Sequence, residues 1–109
     1  MSNTYKVLGQ VATLATTETV LYTVPAATSV IVSSIYVCNR GSTATTFRIS
    51  VSVGGGATAN KDYLYYDVAI PGNDTFVATV GFTLAATDKI RVYAGNANLS
   101  FNLFGQEKT

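Results

Sequence analysis

The chain has 109 residues, 48% hydrophobic and only 12% charged, and its seven Lys and Arg against six Asp and Glu give a formal net charge of +1. That length suits one domain over residues 1–109, and the charge content is about half the roughly 25% typical of soluble domains. Without a clustered Lys/Arg footprint, partners do not include nucleic acid or an anionic membrane surface. No apolar run approaches the roughly 20 residues that span a bilayer. Met1-Ser2-Asn3-Thr4-Tyr5-Lys6 lacks the basic and apolar segments of a secretory signal, so folding in a cytoplasm is expected.

In chain order, short runs of β-branched and aromatic residues predict about eight strands, at residues 4–12, 18–25, 29–39, 45–53, 62–70, 74–82, 88–94 and 98–106. No segment carries sustained apolar residues at helical spacing. The fourth run alternates cleanly, which sets Phe47, Ile49, Val51 and Val53 against a core and Thr46, Arg48, Ser50 and Ser52 toward water. Ile90 and Val92, then Leu99, Phe101 and Leu103, repeat the pattern. Pro25-Ala26-Ala27, Asn39-Arg40-Gly41-Ser42, Gly54-Gly55-Gly56, Pro71-Gly72-Asn73-Asp74 and Gly95-Asn96 supply turn chemistry between the runs. The expected fold is all-β, a two-sheet antiparallel β-sandwich of jelly-roll or immunoglobulin-like type.

Cys38 stands alone, so no internal disulfide forms. Its neighbours Ile35, Tyr36 and Val37 predict a small buried hydrophobe. Thr13-Leu14-Ala15-Thr16-Thr17-Glu18 echoes Thr83-Leu84-Ala85-Ala86-Thr87-Asp88, which points to a shared corner closed by an acidic residue.

The chain has no His, which removes the commonest general base, the commonest zinc ligand and the Ser-His and Cys-His nucleophiles. No Ser-x-x-Lys is present either. Asp62 and Asp67 flank an aromatic run, but residues five apart on a regular strand point to opposite faces and do not converge on one bond. No catalytic, cofactor or metal residue is assigned. Gly54-Gly55-Gly56 lacks the Gly-Lys-Ser/Thr of a phosphate loop and reads as a flexible turn or an insertion reaching a neighbour.

Tyr63, Tyr65 and Tyr66 are the chief interface candidates: regular alternation places Tyr63 and Tyr65 on one face and Tyr66 on the other. Such a stripe suits a protein interface or the stacking of a sugar ring, and cross-strand packing inside a sheet is the structural alternative. Near the two ends, the segments carrying Tyr5 and Phe104 could add a strand to a neighbouring sheet.

Lys6-Val7-Leu8-Gly9-Gln10, Leu21-Tyr22-Thr23-Val24-Pro25-Ala26-Ala27-Thr28, Val37-Cys38-Asn39-Arg40-Gly41 and Leu99 through Glu107 resemble segments of small virion structural proteins of tailed bacteriophages. The resemblance covers nearly the whole chain. It implies a non-enzymatic virion component, assembled in the host cytoplasm, whose partners are the major capsid protein or other virion proteins. A capsid decoration or cement protein that bridges capsid subunits is the first expectation, and a tail, neck or fibre component the second. A homo-oligomer, with a trimer favoured, is a family-level expectation. From a different class, a carbohydrate-binding module would use the same tyrosines.

Overall fold

The computed structural model describes residues 2–79 and 81–109. Strands dominate it: β1 (Asn3–Ala12), β2 (Thr19–Thr23), β3 (Ser29–Asn39), β4 (Thr45–Ser52), β5 (Tyr63–Ile70), β6 (Thr75–Ala78), β7 (Phe82–Leu84), β8 (Lys89–Ala94) and β9 (Leu99–Lys108). They form two antiparallel sheets, one in the order β1-β9-β3-β6 with β7 also on β3, the other in the order β2-β8-β4-β5.

Nine strands replace the eight expected because the sixth predicted run is interrupted. Ala78 lies opposite Ile35 and Phe82 opposite Val32, so four steps on one side span three on the other. β6 and β7 are thus two halves of one edge of the sheet; residue 80, within the expected strand, lies outside the described residues.

Counting those halves as one strand, the pairs run first with last: β1 with β9, β2 with β8, β3 with β6 and β7, β4 with β5. The chain is one long hairpin with β4 and β5 at its tip. It is rolled over so that β9 also meets β3 and β8 also meets β4. That is a jelly roll, and it decides between the two sandwich types that the strand pattern left open.

The inner faces hold the core, in which Val32, Ile35, Val37, Phe47, Ile49, Ile90, Leu99, Phe101 and Leu103 are fully buried. β3 buries Val30 and Val32, then Ile35 and Val37. The change of phase sits at a register shift between Val32 and Ser34, so a bulge restores the pattern that a regular strand would have lost. Gly105 faces this bulge on β9, and a Cβ there would collide with the Ile31 carbonyl.

β4 departs from its expected alternation at its end. Phe47 and Ile49 are buried, but Ser50 and Ser52 are buried too, while Val53 is 82% exposed. The cause is the segment 53–62, which folds back over the outer face of β4. Arg91 pins it by donating to Ser52 Oγ at 2.8 Å, to the Gly56 carbonyl at 2.7 Å and to the Gly55 carbonyl at 3.2 Å. Gly54 and Gly55 take φ of 72° and 76°, the left-handed conformation that lets the chain reverse there. The triple glycine is therefore a docked corner within the domain, not an insertion that reaches a neighbour.

Two of the segments singled out in the sequence, residues 37–41 and 21–28, hold the fold together. The Asn39 amide, buried, donates to the carbonyls of Thr43 (2.9 Å) and Pro71 (3.2 Å), and its Oδ1 accepts from the Gly41 amide at 3.0 Å. It ties the β3–β4 and β5–β6 loops together at one end of the roll. Leu21 and Val24 are core residues, and the Tyr22 hydroxyl donates to Glu107 Oε2 at 2.5 Å, which bridges the two sheets. Lys6 Nζ donates to the other oxygen of the same carboxylate at 3.2 Å.

That bridge makes stability pH-dependent on both sides. The Tyr22 hydrogen bond, then the bond from Lys6, hold the Glu107 carboxyl below its ordinary range. Burial first, and the Glu107 bond second, push the Tyr22 phenol above its own. A depressed carboxyl contributes stability above its unfolded value of about 4.3, lost as pH falls through the folded value; a raised phenol contributes below about 10, lost at still higher pH. Glu107→Gln is expected to flatten the acid limb of a urea stability profile between about pH 5 and pH 3. Parallel wild-type and variant profiles over that range would contradict it.

Candidate functional site

The sequence candidates fall on three different surfaces. Within β5 the register to β4 shifts twice: Tyr63 opposes Ser50, Tyr65 opposes Ile49 and Val68 opposes Phe47. Each shift inserts one extra residue in β5, and Asp67 at the second has φ of 51°. Tyr63 and Tyr65 therefore do not share a face. Tyr65 turns inward and packs with Phe47 and Phe76, ring centroids 6.3 and 5.3 Å away. Tyr63 instead joins Tyr66 on the outside, edge-on at 4.9 Å.

Around that outer pair lies a compact polar cluster. The Arg48 guanidinium sits 4.3 Å from the ring centres of both Tyr66 and Tyr93, and its Nε donates to Asp67 at 2.7 Å. The four-stranded sheet thus presents an outer face that is charged, with Arg48 and Asp67 paired, and that is partly roofed by the 53–62 segment. Asp62 has no catalytic posture: it is buried, and its Oδ2 accepts from the Ala59 amide at 2.8 Å. Among the described residues no three His, Cys, Asp or Glu side chains gather as a metal site.

The outer face of the five-stranded sheet is the opposite in character. Tyr5 and Val7 of β1, Ile31 and Tyr36 of β3, and Val77 of β6 are all exposed, Tyr5 by 81%. Phe104 of β9 lies between them and meets Tyr36 edge-on at 5.5 Å. Gln10, Asn102, Thr75 and Thr83 surround this apolar centre with uncharged polar groups, Gln10 donating to Asn102 at 2.7 Å. Of the charged pair of this sheet, Lys6 and Glu107, the carboxylate is turned toward the other sheet, and Lys108 stands at the end of β9.

Cys38 belongs to this outer face. It lies opposite Ser100 and Thr75 and is half-buried, not sealed in the core, because the bulge in β3 turns it outward with Tyr36. Two shallow hollows flank Phe104, one lined by Ser34, Tyr36, Cys38, Thr75 and Asn102, the other by Tyr5, Lys6, Val7, Ile31 and Gln106. Of the sequence candidates, Tyr5 and Phe104 meet here. Of the two end segments expected to add a strand to a neighbouring sheet, β9 is paired on both sides, and β1 lies at a sheet edge with one side open. Ile31 and Tyr36 were missed because the bulge in β3 sets their direction, and Val77 because it faces outward opposite Tyr36. No family model matches the chain, and no curated protein matches it.

Proposed function

We propose that this protein is a non-enzymatic structural component of a tailed-phage virion, in first place a capsid decoration protein that reinforces the shell by bridging capsid subunits. The observation that carries the reading is the uncharged aromatic face of the five-stranded sheet. It has the anatomy of a protein interface: an apolar centre with Tyr and Phe, depleted of charge, inside a polar rim. The sequence resemblance supplies the particle; the face supplies the means of packing into it.

Quantitative mass spectrometry of purified virions tests the reading. On the order of hundreds of copies per particle are expected for a decoration protein, against far fewer for a tail, neck or fibre component. Tyr36→Ser combined with Phe104→Ser is expected to lower that copy number while the chain stays folded. Absence of the wild-type protein from virions overturns the assignment.

Glycan binding is the second reading, favoured by the gathering of Tyr63, Tyr66 and Tyr93 around Arg48 and Asp67. Against it, Arg48 already covers a face of both Tyr66 and Tyr93, and Tyr63 meets Tyr66 at 80°, which leaves little flat ring for a sugar.

A further inference from the structure

We infer that the outer face of the five-stranded sheet docks on the same face of a second copy of this chain, across a two-fold axis. The inference rests on the reading of that face as an interface and names its occupant.

Charge carries the first step. Partners of different sequence are steered and selected by complementary charge, whereas charge on this face is confined to one end, at Lys6 and Lys108, and its centre carries none. A two-fold axis through the uncharged centre sets the lysine-bearing ends of the two copies apart, and a two-fold contact needs only a self-complementary surface. The opposite sheet, with Arg48, Asp67, Lys89 and Arg91 on its strands, has no such property.

Area carries the second. Four strands abreast, with β6 and β7 in line, at about 4.8 Å spacing and about 3.4 Å per residue over ten residues, give a footprint on the order of 600 Å2 per copy. Two copies together then bury on the order of 1,200 Å2, which reaches the range of specific stable interfaces. Side chains that interdigitate there repeat the sheet-on-sheet packing found inside the domain.

Sedimentation of the full chain over micromolar to sub-millimolar concentrations should give a species of twice the 11.5 kDa of one chain. Ile31→Glu with Val77→Glu puts like charges into the contact and should weaken the dimer by at least about a hundredfold. Both positions are exposed, so circular dichroism should remain that of the folded chain. Val53→Glu, on the corner beyond β4, should leave the dimer intact. A measurement on the wild type needs no substitution: labelling of Cys38 by a thiol reagent should slow as protein concentration rises. A monomer at every concentration, a trimer, a folded Ile31→Glu/Val77→Glu variant that still dimerises, or Cys38 labelling independent of concentration overturns the inference. Virion stoichiometry is read separately, so a monomeric chain abundant in virions would sink the dimer and leave the structural role standing.

Discussion

Replacing Phe47 with alanine is expected to cost about 4 kcal/mol, the range for deleting a buried aromatic ring and leaving a cavity. Phe47 is fully buried on β4, the strand at the tip of the rolled hairpin, and its ring contacts Phe76 at 5.0 Å and Tyr65 at 6.3 Å. These three rings come from both sheets, so the site cannot collapse without moving one sheet against the other. A domain of this size has total stability of roughly 5 to 15 kcal/mol, and the variant should be largely unfolded in moderate urea where the wild type is not. Tyr65→Ser should follow it with a loss of about 3 kcal/mol, and Tyr63→Ser should cost under about 1 kcal/mol. Equal urea midpoints for the two tyrosine variants would mean that Tyr65 does not face inward.

Asp88→Ala is the second large effect, about 3 kcal/mol, and it arises from hydrogen bonding and not from volume. The Asp88 carboxylate is buried and accepts from the Gly54 amide at 2.8 Å and the Ala85 amide at 2.9 Å. Removing it strands two backbone donors beneath the Gly54–Gly56 corner and frees the segment that covers Ser50 and Ser52. For a chain of about this length the melting temperature should fall by roughly 15 °C. Asp88→Asn keeps one acceptor oxygen and should recover part of the loss. A melting temperature within about 3 °C of wild type for Asp88→Ala would show that the corner is held by Arg91 alone.

The strands and their class were legible because the core residues follow period two over most of their length. Leu99, Phe101 and Leu103 face inward as their spacing requires, and so do Ile90 and Val92. Of the two echoed corners, the one at Asp88 is closed by its acidic residue, which accepts from the Ala85 amide. What escaped was wherever one residue is added to a strand. The shifts in β5 separate Tyr63 from Tyr65, and the shift in β3 sends Ile31 and Tyr36 outward while Val32 and Ile35 stay inside. A bulge reverses the facing of every later residue yet leaves no mark in composition, since Leu64, Ser33 and Ser34 are ordinary strand residues. The burial of Ser50 and Ser52 escaped for another reason: a later segment covers them, and strand periodicity does not describe what folds over a sheet.

The rolled hairpin also governs how this chain reaches its native state. Only β4 and β5, at the tip, pair across a short stretch of sequence, whereas the partnership of Thr4 with Glu107 closes nearly the entire chain. The entropy of such closures must be lost before their contacts form, so refolding belongs to the slow regime of milliseconds to seconds seen for all-β domains rich in distant pairings. During that interval β3 and β9, which supply Val32, Ile35, Val37, Leu99, Phe101 and Leu103 to the core, have no neighbours. The chain thus passes through a stage at which association with its own kind competes with correct closure.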